Sequence, residues 1–133
     1  IRTLKSFWKD PVSDYPITVT GNTMRACDGA VLIHEAGQGN VTGNSIAHTR
    51  GTVAVASSGN AAGLIISHNQ FLGSDSKDCT AIRLQGRRDV IMGNVISRFA
   101  EGIRLESPEH RSIVENNQFI DVSRTLYDKA TDH

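Results

Sequence analysis

The residues best suited to chemistry lie in the second half of the chain. Arg83 and Arg104, with Gln85, Glu106 and Tyr127 at related spacings, combine two guanidinium forks, an amide, a carboxylate and a phenol ring. A guanidinium grips a carboxylate through two parallel hydrogen bonds, and an aromatic ring can stack on the apolar face of a sugar. Between Cys79 and Arg111 there are six arginines (83, 87, 88, 98, 104 and 111) against four acids (Asp89, Glu101, Glu106 and Glu109). That local excess suits a carboxylate-bearing ligand. The competing outcome is ordinary: Arg83 and Arg104 pair with Glu106 and Glu101 as surface charges, an arrangement worth little energy.

Other constellations are thinner. Asp75 and Asp78 lie in the segment Ser74 to Thr80 and are the candidates for calcium, but a calcium site takes six to eight oxygens and no Asp-rich calcium loop is present. The expectation is therefore no cofactor, with calcium at Asp75 and Asp78 as the exception. Glycoside hydrolysis needs two facing carboxyl groups, and the pairs available are Asp78 with Glu101 or Glu106. A lyase would instead remove a proton beside a carboxylate neutralised by Arg83 or Arg104, so Arg83, Arg104 and Glu106 are the catalytic candidates. His34, His48, His68, His110 and His133 fall in different rows or coils, and no pair has the spacing of a zinc site. Neither a Ser-His-Asp motif nor a Gly-rich phosphate loop is present. Cys27 and Cys79 are the only cysteines; Cys27 aligns with Phe99 and Val122 and reads as a small buried hydrophobe.

These residues are positioned by a repeat. Five segments share one pattern: Val19-Thr20-Gly21-Asn22, Val41-Thr42-Gly43-Asn44, Ile66-Ser67-His68-Asn69, Ile91-Met92-Gly93-Asn94 and Val114-Glu115-Asn116-Asn117, each followed two residues later by an apolar residue. The Asn positions 22, 44, 69, 94 and 117 are 22, 25, 25 and 23 apart. A second alternating pattern keeps phase nine and eleven residues after the Asn, at Val31 and Ile33, Val53 and Val55, and Ile103 and Leu105, with Leu126 nine after Asn117. Ile82 and Leu84 arrive four residues late, after Gly73 to Cys79, and Ser57 to Gly63 looks about three residues longer than its equivalents. Alternation over a few residues is the period of a strand with one buried face.

One such turn cannot bury its own apolar face, so successive turns must stack and share a core. The spacing predicts an all-β, right-handed parallel β-helix of about five coils, 22 to 25 residues each, with three short strands per coil. Asn at a bend tolerates left-handed geometry, and stacking places the five Asn in a ladder about 4.8 Å apart. Outside the barrel, equal offsets put Leu32, Ala54, Arg83, Arg104 and Tyr127 in one row, and His34, Ala56, Gln85, Glu106 and Lys129 in the next. Propeller blades need about 40 residues, and a leucine-rich repeat needs a consensus absent here, so both are rejected. An ice-binding array is rejected too, because Ser67, Met92 and Glu115 interrupt the row begun by Thr20 and Thr42.

Coils of this length with an Asn at the bend resemble the right-handed parallel β-helix of the pectin-lyase-like superfamily, over about residues 17 to 128. The resemblance implies binding and degradation of an extracellular, acidic polysaccharide in the groove beside one sheet, as in lyases or phage tailspike depolymerases. It also implies an extracellular, cell-surface or virion-associated setting. Arg83, Gln85, Arg104, Glu106 and Tyr127 are the expected glycan contacts. The acidic calcium cluster typical of pectate lyases and the Asp-Pro-His-Asp motif of alginate epimerases are missing. A non-catalytic shaft or adhesin-like stalk, as a homotrimer, is the alternative.

Bulk properties agree. The chain has 133 residues, 38% hydrophobic and 21% charged, which suits one domain with a core. Lys and Arg number 14, as do Asp and Glu, so no basic excess points to nucleic acid. No apolar run reaches the 18 or so residues of a membrane-spanning helix. Residues 1–16 lie outside the repeat, with Leu4, Phe7 and Trp8 available as a cap or as the remnant of an upstream coil; residues 17–133 hold the coils. The start at Ile1 and the uncapped end at Tyr127 to His133 lead to the expectation of a piece of a longer chain, or of a trimer that covers the open coil.

Overall fold

The computed structural model describes residues 2–3, 17–34, 38–47, 49, 51–59 and 61–131. The expected cap residues Leu4, Phe7 and Trp8, and His48 and His133, lie outside these. A short strand β1 (Arg2–Thr3) precedes five coils of three strands each. The first coil is β2 (Ile17–Thr20), β3 (Thr23–Arg25) and β4 (Val31–His34). The second is β5 (Gly39–Thr42), β6 (Ser45–Ala47) and β7 (Val53–Ser58), and the third β8 (Ile65–Ser67), β9 (Gln70–Leu72) and β10 (Thr80–Leu84). Then come β11 (Val90–Met92), β12 (Val95–Ser97) and β13 (Glu101–Leu105), followed by β14 (Ile113–Glu115), β15 (Gln118–Ile120) and β16 (Arg124–Asp128).

Every pairing is parallel and joins equivalent strands of adjacent coils. They form a six-stranded sheet β1-β4-β7-β10-β13-β16 and two five-stranded sheets, β2-β5-β8-β11-β14 and β3-β6-β9-β12-β15. The chain is thus the right-handed parallel β-helix that the repeat predicts. β1 pairs with β4 at Leu32 and Ile33, extending the six-stranded sheet one strand before the first coil.

The core is a stack of rows. Val19, Val41, Ile66 and Ile91 are one buried row, Ile46, Phe71 and Ile96 a second, and Val31, Val55, Ile82 and Ile103 a third. Burying each such side chain stabilises the fold by about 1.5–3 kcal/mol relative to exposure. The last coil ends the rows: Leu126 is 39% exposed where Ile103, one coil earlier, is 0% exposed.

The Asn ladder runs along the bend between the two five-stranded sheets. The backbone N–H and side-chain Nδ2 of Asn22 both donate to Oδ1 of Asn44, at 2.9 and 3.1 Å. Asn44 donates likewise to Asn69 at 2.9 and 3.0 Å, and Asn69 to Asn94 at 3.0 Å for both bonds. Asn94 donates to Asn117 at 3.1 and 2.9 Å. Nδ2 also reaches back to a carbonyl of the preceding coil: Val19 for Asn44, Val41 for Asn69, Ile66 for Asn94 and Ile91 for Asn117. Asn44, Asn69 and Asn94 are buried, so these bonds replace solvation that the interior cannot supply.

Two expectations need correcting. The left-handed residue at the bend is the one before each ladder Asn, namely Gly21, Gly43, His68, Gly93 and Asn116, all with φ between 56° and 68°. A left-handed residue turns the chain, which leaves the following Asn amide free to point along the stack. The second correction is register. Val31 pairs with Val55, and Leu32 with Ala56, so Ala56 and not Ala54 precedes Arg83 in its row, and Ser58 and not Ala56 precedes Gln85 in the next. The corner between Asn44 and β7 absorbs two extra residues, and the corresponding corner in the third coil four. With this register the apparent insertion at Ser57 to Gly63 shrinks away: Val55 to Ile66 is eleven residues, as is Ile103 to Val114.

Candidate functional site

Arg83, Arg104 and Tyr127 are register partners on β10, β13 and β16, so the three side chains stand one above another on the six-stranded sheet. Two residues on, Gln85, Glu106 and Lys129 form the next row; Glu106 and Lys129 each donate a backbone N–H to the preceding coil, at 2.9 and 3.0 Å. The sequence expectation that these residues share a face therefore holds geometrically. Neighbouring charges pair within it. Arg104 Nη1 approaches Glu101 Oε2 at 3.3 Å, and Arg104 Nε approaches Glu106 Oε1 at 3.3 Å. Arg83 Nε lies 3.7 Å from the same Glu106 oxygen, too far for a good hydrogen bond, and this buried nitrogen has no hydrogen-bond partner among the described residues. Gln85 Nε2 donates to Glu106 Oε2 at 3.4 Å.

Tyr127 carries the Arg104 guanidinium 4.0 Å from its ring centroid and that of Arg124 at 4.8 Å. A sugar stacking on this ring competes with two cation–π contacts. Tyr127 thus orders the arginines as much as it offers a platform.

The insertion Gly73 to Cys79 builds the wall of the site. Ser74 Oγ donates to Thr49 O at 3.0 Å, and Asp75 N donates to Arg98 O at 3.2 Å. Arg98 grips the Asp75 carboxylate through both Nε, at 2.9 Å, and Nη2. That hydrogen bond from Arg98 holds the Asp75 carboxyl below the usual carboxylate range. Gly73 is needed at the base of the wall, because an added Cβ would collide with the Arg98 carbonyl.

Between wall and sheet is a cavity of about 450 Å³. Lys77 and Asp78 line it from the insertion, Arg83, Glu101, Arg104 and Arg124 from the sheet. Asp78 and Glu101, paired across the loop on sequence grounds, do come to one cavity, and Thr80 Oγ1 donates to Glu101 Oε1 at 3.3 Å. Lys77, Thr80 and Arg124 are site residues that the sequence reading does not find. The signal for Thr80 and Arg124 is the register, since Thr80, Glu101 and Arg124 are partners in one row. Asp75 and Asp78, the calcium candidates, line different cavities, and Asp75 is engaged by Arg98. Among the described residues, no group of three or more His, Cys, Asp or Glu could hold a metal ion, and no helix is long and apolar enough to cross a membrane.

The corner between β13 and β14 holds a buried polar chain that the sequence does not disclose. His110 Nε2 lies 2.7 Å from Asp128 Oδ1, while His110 Nδ1 accepts the Ser112 backbone N–H at 2.8 Å. The ring proton therefore sits on Nε2 and faces Asp128. Ser112, His110 and Asp128 are the residue types of a hydrolase triad, yet both ring nitrogens are engaged elsewhere and Ser112 Oγ donates to the His110 carbonyl at 3.4 Å. No base serves the hydroxyl. Ser112 Oγ also accepts the Asp89 backbone N–H at 3.1 Å. Asp89 itself is fully buried; Oδ1 accepts Leu64 N–H at 2.9 Å, and Oδ2 has no partner among the described residues. Burial pushes the Asp89 carboxyl up to about 6, against the opposing pull of the Leu64 N–H and of His110. For Asp128, burial raises and the His110 hydrogen bond with the Ala130 N–H lowers; the net is below the ordinary carboxylate value.

The remaining candidates are structural. His34 Nδ1 lies 2.7 Å from Ser58 Oγ, one coil away, and His68 takes a left-handed bend position. Cys27 and Cys79 are both free thiols, and burial pushes Cys79 up, with the Asp28 charge acting in the same direction, so it is a poor nucleophile. Cys27 packs against the core but is only half-buried, where its row position predicts a buried side chain.

A fold of stacked parallel coils with an inner Asn ladder and a charged outer face is that of the right-handed β-helix proteins. The model of one such family, the right-handed β-helix region, matches residues 9–127, and the chain belongs to it. No significant match to a curated protein or to a solved structure accompanies it.

Proposed function

We propose that this β-helix binds an acidic polysaccharide on the outer face of its third to fifth coils and cleaves it there. The observation that supports this reading is the cavity of about 450 Å³ in which Lys77, Arg83, Arg104 and Arg124 outnumber Asp78 and Glu101. Four cations around one concave surface favour a carboxylated ligand. Asp78 from the loop and Glu101 from the sheet are the carboxyl groups through which hydrolysis would run. The extracellular or virion-surface setting belongs to the same proposal, since that is where such polymers are met.

A second reading is a non-catalytic shaft, trimeric or continued by further coils. It is favoured by the pairing of Arg104 with both Glu101 and Glu106, which leaves that arginine already neutralised. Incubating the chain with acidic and neutral polysaccharides, while following polymer length and the ultraviolet absorbance of unsaturated uronates, separates the readings. Shortening with absorbance indicates elimination, and shortening without it indicates hydrolysis through Asp78 and Glu101. Binding without shortening limits the proposal to recognition. Neither binding nor shortening favours the shaft.

A further inference from the structure

A second cavity, of about 340 Å³, opens on the other side of the insertion and shares Lys77 and Ala100 with the first. The two are therefore neighbours across one pinned wall, with the Lys77 side chain at the divide. Their charges differ. Beside the sheet, the cations outnumber Asp78 and Glu101. Beyond the wall, Arg98 and Lys77 balance Asp75 and Asp121, so this cavity carries no net charge, and Ser76 and Ser123 add neutral hydroxyl groups. One cavity thus attracts an anion, and the next, balanced in charge, offers it no counterion. The wall cannot easily adjust to a ligand, because bonds from Ser74 to Thr49, and from Asp75 to the backbone and side chain of Arg98, hold it to the neighbouring coils.

We infer that the two cavities are consecutive sugar subsites, and that the polymer recognised is one in which a carboxylate-bearing sugar alternates with an uncharged one. The inference rests on the glycan-binding reading above and sharpens it. The chain of sugars crosses the insertion around the edge of the six-stranded sheet, with its carboxylate on the arginine side. Lys77 reaches the linkage between the two units. A polymer charged on every unit places its second carboxylate against Asp121, and a neutral polymer leaves the arginine cluster without its counterion.

The test compares three hexasaccharides by isothermal titration with the full chain at low salt: a hyaluronan fragment (glucuronate alternating with N-acetylglucosamine), hexagalacturonate, and neutral chitohexaose. The alternating fragment is expected to bind at least about fivefold more tightly than either of the others, a discrimination within reach of one or two exposed charge contacts. Asp121→Asn, which keeps a residue tolerant of the left-handed backbone at φ 53°, should raise affinity for hexagalacturonate by about the same factor and leave the alternating fragment unchanged. Lys77→Ala should weaken the alternating fragment most. Equal binding of the two acidic fragments, or no response to Asp121→Asn, overturns the alternation while leaving the arginine site standing. Failure of both acidic fragments to bind overturns the site itself and this inference with it.

Discussion

Two columns of stacked polar side chains run along the same solenoid, and they behave in opposite ways. In the Asn ladder one residue type repeats five times, and the inner amides, Asn44, Asn69 and Asn94, are satisfied by the coils on either side. In the outer column the occupants are Leu32, Ala56, Arg83, Arg104 and Tyr127, so the row changes character along its length and charges meet only in the last three coils. Where the repeat is strict the residue holds the fold, because any change leaves a buried partner unpaired. Where the repeat lapses at the surface, substitution costs little stability and the position is open to ligand chemistry. Asp89 is the intermediate case: it is as buried as Asn94 but has one oxygen that no coil satisfies.

The largest effect is expected from breaking the ladder. Asn94→Leu strands the backbone N–H and Nδ2 of Asn69 and the Ile66 carbonyl, which Asn94 serves now. At about 1–3 kcal/mol for each buried group left unsatisfied, the loss should be about 3 kcal/mol or more. Thermal unfolding followed by circular dichroism would show it as a fall in Tm; an unchanged Tm would mean the ladder is ornamental.

Asp89 should give the next largest effect, and with a characteristic sign. Its folded pKa of about 6 lies above the ordinary 3.8, so the folded state holds the proton more tightly than the unfolded chain does. Stability therefore increases as pH falls from about 7 towards 4, by about 3 kcal/mol in all, because a tenfold tighter hold on the proton is worth about 1.4 kcal/mol. Asp128 acts in the opposite sense: its lowered pKa gives stability that is present above 3.8 and lost as the pH falls through the folded value. Urea midpoints of the wild type between pH 8 and pH 4.5 should rise on acidification, and Asp89→Asn should flatten that rise. A rise that survives the substitution places its origin elsewhere.

Gly93→Ala tests the bend rather than the ladder. Gly93 has φ 67°, and an added Cβ would stand 3.1 Å from the His68 ring, so a loss of about 2 kcal/mol is expected. The same substitution at an exposed bend with open space, Gly21→Ala, should cost the left-handed penalty alone and therefore somewhat less.

The fold is legible in the sequence because both its signals are local and repeated: an aliphatic residue three before each Asn, and alternation in the strand that follows. Register is harder. The corner between Asn44 and β7 can take two extra residues without moving either strand, so equal offsets misplace Ala54 and Ala56, and only pairing with Val31 corrects them. Arg83, Arg104 and Tyr127 fall in one row from sequence alone because Ile82 with Leu84 and Ile103 with Leu105 are unambiguous apolar pairs, and Leu126 keeps the nine-residue offset from Asn117. Lys77 escapes because nothing in a loop sequence says which way an exposed side chain leans. The His110–Asp128 contact is hidden because eighteen residues separate the partners and the coil must close before they meet.

The most direct test of the account is the Arg83→Ala, Arg104→Ala double variant, measured for both Tm and affinity for an acidic oligosaccharide. Both arginines make exposed or half-exposed ion pairs, worth about 0–1 kcal/mol apiece, so Tm should stay close to that of the wild type. Affinity should fall at least about tenfold, since two carboxylate-gripping groups are lost at once. A variant that keeps its glycan affinity would place binding away from the outer column, and a wild type that has none to lose would leave the molecule a shaft. Either result contradicts the division of labour between ladder and outer column.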